Sequence, residues 1–329
     1  MKRALNINSL VLLGILLCYA WPAHAIVVRT GVDPNSVVIP GDNDFFGALS
    51  MSGVVEVTNN VESCSGALIG NFSVLTAGHC VTSAFGAGLY THPQVTFLVP
   101  GGYVVQDVSS IAVDPTWNGD FSLGGDLAVM QLSQAAPASA TRYSLYTGMA
   151  LPTSSPIVLA GFGLSGTGDA GANGYGYGSL RAGTNEYAVT GASFGWSSNV
   201  LIGQFYDVNH PSTNGLGLAS PYSSSDEVTT AFGDSGGPTF YNGQIIGVHD
   251  VLICLTPKGS ESCSVPPSVS IYNDSFYGQL WGDVSVAGNA AFIEGVPEPR
   301  SAVLTMLGLS LAGWRRWRSR GNRSRSSSH

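Results

Sequence analysis

The chain has 329 residues, with 21 acidic and 13 basic side chains and a formal charge of −8 at neutral pH. The basic residues crowd at the two ends: from residue 26 to 293 there are four (Arg29, Arg142, Arg181 and Lys258) against nineteen acidic ones. A stretch near −15 excludes nucleic acid and anionic membranes as partners and suits a soluble protein working outside the cell.

Lys2 and Arg3 precede an apolar run from Leu10 to Leu17 and then the small-residue sequence Ala23-His24-Ala25. This order predicts a secretory signal peptide over 1–25, removed by signal peptidase after Ala25. The apolar run is too short to span a bilayer. Leu17 is bulky where lipoprotein processing at Cys18 needs a small residue.

Residues 26–293 read as short apolar stretches split by Gly, Pro, Asn and Ser. They include Gly53 to Val57, Ala67 to Ile69, Val95 to Val99, Leu127 to Leu132, Ile157 to Ala160, Tyr187 to Val189 and Gln244 to Val248. Their richness in Val, Ile, Phe and Tyr, without a long helical period, predicts an all-β sandwich or barrel. About 270 residues can bury one large core or two smaller ones. Gly161 to Gly178 is glycine-dense and polar, the pattern of a flexible surface loop; it lacks the lysine and helix of a phosphate cradle. Asn209 to Asp226 is a second long loop, of the kind that borders a binding cleft. Four cysteines remain in this part, Cys64, Cys80, Cys254 and Cys263, which in an exported chain reads as two disulfides with three possible pairings. No CxxC pair is present, so no zinc site is expected.

Three segments carry chemistry. Val74-Leu75-Thr76-Ala77-Gly78-His79-Cys80 follows Cys64-Ser65-Gly66-Ala67-Leu68-Ile69; later come Gly125-Asp126-Leu127-Ala128-Val129 and Gly233-Asp234-Ser235-Gly236-Gly237-Pro238. A serine hydroxyl is a poor nucleophile unless an imidazole takes its proton, and the imidazole needs a carboxylate to fix its tautomer. Singly, the histidine reads as structural and Asp126 as the start of a strand. Together with Ala160-Gly161-Phe162-Gly163 and Ile246-Gly247-Val248, the segments resemble the signature blocks of trypsin-like serine proteases in type, order and spacing.

That resemblance implies a chymotrypsin-like, all-β fold of two antiparallel six-stranded barrels, with a boundary near 145–155 and the cleft between them. His79 and Asp126 would lie on the first barrel and Ser235 on the second. These three would form the catalytic triad of an endopeptidase that passes through an acyl-enzyme, with polypeptide substrates and no cofactor or metal. The N–H groups of Gly233 and Ser235 would form the oxyanion hole, a donor being worth about 3 kcal/mol. The implied disulfides are Cys64–Cys80 and Cys254–Cys263. Cleavage after Ala25 would expose Ile26, whose α-amino group would pair with Asp234.

Thr229 stands where trypsins carry an aspartate at the pocket base, so cleavage after Arg or Lys is not expected. Thr230 and His249 match residues with which glutamyl endopeptidases hold an acidic side chain, although the acidic charge and the adjacent Asp250 oppose such a substrate. Asp250 also replaces a serine that usually supports the catalytic aspartate. Ala231 stands where many members have a pocket cysteine.

Gly233-Asp234-Ser235-Gly236-Gly237 also satisfies the G-x-S-x-G elbow, but in the mature part only His249 follows the serine, too close for an acid-bearing strand to intervene. The alternative to an enzyme is a weakly catalytic protease-fold binding or matrix protein of the cell surface.

At the C-terminus, Val296-Pro297-Glu298-Pro299 is followed by an apolar run from Ala302 to Trp314 and then by Arg315, Arg316, Arg318, Arg320, Arg323 and Arg325. This tail, 294–329, resembles the PEP-CTERM sorting signal of Gram-negative bacteria. It implies recognition by an exosortase-type enzyme, the arginines staying on the cytoplasmic side while the short helix pauses in the bilayer. Removal of the tail would leave an exported protein, in the envelope, at the surface or in the extracellular matrix, that does not span the membrane.

Overall fold

A computed structural model describes residues 26–40, 45–83, 88–148, 151–175, 178–219, 221–254, 268–270 and 275–298. The signal segment, the tail beyond residue 298, Cys263 and the side chain of Cys254 lie outside the described residues, and with them the Cys254–Cys263 pairing.

Alternation of apolar and polar residues builds the first half. In Gln94–Val99 every second residue, Val95, Phe97 and Val99, is buried, while the residues between them face outward. Val55 and Val57 pair opposite Phe97 and Val95, which puts all of them on one face. Each such buried side chain contributes about 1.5–3 kcal/mol. The strands Gly102–Val113, Ala128–Leu132, Ser73–Thr76, Ser63–Leu68, Val54–Thr58 and Gln94–Val99, paired in that order, close into a six-stranded barrel.

The chain leaves this barrel at Leu145, which bridges to Ile245 in the second half. There Arg181–Asn185, Ile157–Gly161, Pro238–Tyr241, Gln244–Cys254, Leu280–Ser285, Val200–Gln204 and Val189–Thr190 pair side by side. Ser268–Ser270 lies along Gln244–Cys254, making an eight-stranded antiparallel sheet. The two halves share one apolar core: Phe97, Leu75 and Val129 from the barrel pack in the same cluster as Phe162, Phe240 and Val248. The sequence-predicted strands are present in this frame except Tyr187 to Val189, of which only Val189 lies in a strand, Val189–Thr190, while Tyr187 is buried as a side chain of the core. Among the described residues the single α-helix is Ala290–Gly295, and no helix is long and apolar enough to cross a membrane.

The glycine-dense stretch departs from the expected flexible loop. Ser165–Thr167 and Gly171–Tyr175 form a hairpin, and Ser165–Thr167 runs parallel to Ile26–Val28. Ile26–Val28 in turn pairs antiparallel with Val228–Thr229. Glycine is required here for close approach rather than for freedom. A Cβ at Gly166 would lie 1.8 Å from the Gly171 oxygen, and one at Gly163 would lie 2.4 Å from the Asp234 nitrogen. Asn209 to Asp226 stays a loop, carrying one short 3-10 turn, Pro211–Thr213, among the described residues.

Because the atoms facing Gly163 are backbone, they cannot move aside. Gly163→Ala is expected to cost about 2–3 kcal/mol, a fall of roughly 4–10 °C in Tm by calorimetry. Gly295→Ala, with nothing near its Cβ, should leave Tm unchanged.

Candidate active site

Strand register brings His79 to Asp126. Ala128 pairs with Thr76, so Asp126, just before its strand, lies opposite the turn just after the other. That turn closes through Val81 and Thr82 N–H groups on the Gly78 carbonyl, at 3.1 and 3.0 Å. Cys80 is disulfide-bonded to Cys64, which ties the turn to Ser63–Leu68. A Cβ at Gly78 would come within 2.8 Å of Asp126 Oδ1, so the approach of the carboxylate depends on the missing side chain.

Asp126 is fully buried. Its Oδ1 accepts the His79 backbone N–H at 2.7 Å, and its Oδ2 meets His79 Nδ1. The imidazole packs against Phe121 and Trp117, with ring centroids 5.6 and 6.4 Å away, and Trp117 Nε1 donates to Thr82 Oγ1 at 3.1 Å. Burial alone favours the neutral ring. The Asp126 charge and hydrogen bond, with Glu62 beyond, outweigh it and raise the His79 pKa.

Ser235 sits in a loop held by Asp234 N–H on Ala231 O and by Gly237 N–H on Asp234 O. Gly233 and Gly236 adopt φ of 95° and 81°, a region that side chains strain against. The Ser235 carbonyl accepts the Ser65 N–H at 2.8 Å and lies 3.5 Å from Cys80 Sγ, so the serine loop rests on the strand and disulfide that anchor His79. Ser235 is half-buried, and its hydroxyl is not hydrogen-bonded to His79 in this arrangement. Such contacts are commonly loose until substrate is bound. Among the described residues the N–H groups of Gly233 and Ser235 have no partner.

Asp234 is buried beneath the loop. Its Oδ1 accepts Gly163 N–H at 2.9 Å and its Oδ2 accepts Ala231 N–H at 2.8 Å. Burial pushes its pKa up to about 6, against the opposing pull of His249 and of the N–H groups of Gly163, Ala231 and Ile26. Ile26 is itself buried and has φ of 66°, an outlier for a β-branched residue.

Thr229, Thr230 and Ala231 are buried just before the serine loop, and the Thr230 carbonyl accepts Ser275 Oγ at 2.8 Å. His249 is buried too, but its partners lie elsewhere: Nδ1 meets Asp283 Oδ1 at 2.9 Å and Thr239 Oγ1 at 3.4 Å. Asp283 also accepts from the Tyr187 and Thr239 hydroxyls. Sequence reading missed this network. Its visible trace was one acid inside the otherwise apolar strand Leu280–Ser285.

His79, Asp126 and Asp250 place possible ligand atoms within 4.8 Å of one another. Two of the three are already bound to each other, and the cysteines beside them are joined in the disulfide.

Residues 38–277 match the family model Trypsin. The chain belongs to the trypsin family. It is accordingly a serine-type endopeptidase with the chymotrypsin-like fold. It is similar to human (Homo sapiens) Kallikrein-4, with 26% identity over 193 residues covering 58% of this chain and 68% of that protein. Among solved structures, a Glu endopeptidase in complex with MPD resembles it at 17% identity and a TM-score of 0.49, covering 74% of this chain and 89% of that one.

The buried acids set the pH dependence of stability. Burial pushes Glu227 up to about 8, offset in part by the Tyr206 N–H and by Arg29. Asp234 is raised to about 6, and His79 is raised as well. Each of these holds more protons folded than unfolded, so the stability it contributes is complete below its unfolded pKa and is lost as pH rises through its folded one. Asp207 is the opposite case: burial raises its pKa, but His210 and the Asn209 N–H bring it below 3.8, so its contribution is lost only in acid. Tm followed by circular dichroism should therefore fall from pH 5 to pH 8, and Glu227→Gln should flatten the slope.

Proposed function

We propose that the chain is exported as a precursor, with residues 26–293 as the protease domain, and hydrolyses peptide bonds with Ser235 as nucleophile and His79 as general base. Asp126 orients the base. The observation that carries this reading is the grip of Asp126 on both the backbone N–H and Nδ1 of His79. With Nδ1 so engaged, Nε2 is the nitrogen left to take the serine proton. As Ser235 Oγ bonds to the scissile carbonyl carbon, that proton moves to Nε2. The carbonyl oxygen becomes an oxyanion, which the unpartnered N–H groups of Gly233 and Ser235 are placed to receive. Collapse of this intermediate breaks the C–N bond, and His79 returns the proton to the leaving amine. Water then repeats the sequence on the acyl-enzyme.

Ile26 supports a start at that residue. Its amide faces Asp234 in the uncleaved chain, and cutting before it abolishes the strained φ while creating an ammonium beside the buried acid. In specificity, Thr229 at the pocket base argues against Arg and Lys, and the burial of His249 against Asp283 favours small or apolar residues over acidic ones.

A fluorophosphonate should label Ser235 in the wild type. Ser235→Ala and His79→Ala should each lose roughly four or more orders of magnitude in kcat. A wild type that takes no adduct would instead be the binding or matrix protein. Cleavage of a peptide library should show no preference for Arg, Lys or Glu. One alanine added before Ile26 in the mature protein should depress activity; full activity would remove the role of that terminus.

A further inference from the structure

Beside the proposed triad lies a carboxyl group that its chemistry has not used. Asp250 lies on Gln244–Cys254 where that strand bulges: His249 pairs with Asp283 and Val251 with Gly282, so Asp250 is the extra residue. A bulge re-aims a side chain. This one brings Asp250 against Asp126, with side-chain nitrogen or oxygen atoms of Asp250, Asp126 and His79 all within 4.8 Å of one another.

Both carboxyl oxygens of Asp250 are buried, and among the described residues no N–H or O–H group donates to them. The groups facing it are acids or are already paired. Asp126 comes from the segment before Ala128–Leu132 and Asp283 from Leu280–Ser285, while His79 is bound to Asp126 and His249 to Asp283. Glu62 adds a further negative charge beyond His79. Two carboxyls in contact out of water do not both ionise; the pair keeps a proton. Asp126 already accepts two hydrogen bonds from His79, whereas Asp250 accepts none, so the proton belongs on Asp250.

We propose that Asp250 is a positioning residue of the triad, a neutral carboxylic acid whose O–H donates to the Asp126 carboxylate and holds it square to His79. Burial and the neighbouring acids Asp126 and Asp283 agree, raising the Asp250 pKa well above the ordinary carboxyl range. The hydrogen bond persists only while the proton stays. When alkali removes it, Asp250 becomes a second buried anion that repels Asp126, and the base loses its support. Asp250 thereby gives the enzyme an upper pH limit of its own.

The proposal rests on the triad reading, and its test separates the two. For Asp250→Asn, a neutral donor of the same shape, kcat should fall about threefold to tenfold with KM unchanged. The acid limb of kcat/KM should stay within about 0.3 pH units, because no charge has been removed from beside His79. The alkaline loss set by the Ile26 α-amino group should remain, and the further loss that follows ionisation of Asp250 should vanish. A downward shift of the acid limb by a unit or more would mean that Asp250 is ionised; persistence of the further alkaline loss, beyond that of the Ile26 α-amino group, would mean a packing role only. Either overturns the proposal. Should Asp250→Asn not fold, Asp250→Ser and the infrared spectrum of the wild type decide. A protonated-carboxyl band at pH 7 that Asp250→Ser lacks supports the proposal, and its absence from the wild type sinks it. Failure of Ser235 to take a fluorophosphonate would instead strike the triad, leaving the band to report on the proton alone.

Discussion

The site depends on Ser65, a fully buried residue with every polar atom engaged. Its N–H donates to the Ser235 carbonyl at 2.8 Å, and its carbonyl accepts Thr76 Oγ1 at 2.8 Å. Its hydroxyl donates to the Gly233 carbonyl and accepts the Phe162 N–H, each at 2.9 Å. One side chain thereby fixes the serine loop to the strand that carries the disulfide, and the second half of the molecule to the first. Buried polar groups are costly when unpaired and rigid when fully paired. A rigid junction here makes the position of Ser235 relative to His79 a property of the core rather than of a surface loop.

The fold class and the segments that hold the candidate site were legible in the sequence, and much of the detail around them was not, for a physical reason. The candidate triad calls for particular residue types in particular local settings: His79 and Ser235 sit in turns and Asp126 just ahead of a strand. The rest is set by partners far along the chain. Gly161 to Gly178 has the composition of a loop, yet Gly163 and Gly166 are where backbones touch, and contact across the fold leaves no local mark. Gly102–Val113 was not read as a strand because most of it faces outward and its apolar residues do not alternate cleanly. Asp283 is one acid in an apolar run, and its meaning depends on His249, which pairing alone brings beside it. The order of the second sheet is likewise decided by pairing rather than by composition.

An acidic domain that buries acids must neutralise each one, and it does so in several ways. Asp126 takes two donors from a single histidine. Asp283 takes an imidazole and two hydroxyls. Asp234 is ringed by backbone N–H groups, and Glu227 leans on Arg29 at 3.7 Å. Isolated ionised carboxyls in such places would each cost several kcal/mol. Four of the domain's side chains are cations in all, so most of this work falls to hydrogen bonds and protons. The scarcity of cations binds the chemistry of the interior to the pH outside.

The strand Ile26–Val28 lies inside its sheet, between Ser165–Thr167 and Val228–Thr229, rather than at an edge. Its pairing partners follow about 140 and 200 residues later, the kind of distant contact that forms late. During synthesis Ile26–Val28 therefore has its first partner only once residues 165–167 have been made, and its second only after residues 228–229. The sheet that holds Ile26–Val28 thus joins segments made at three well-separated times, and its register is complete only when the last of them has arrived.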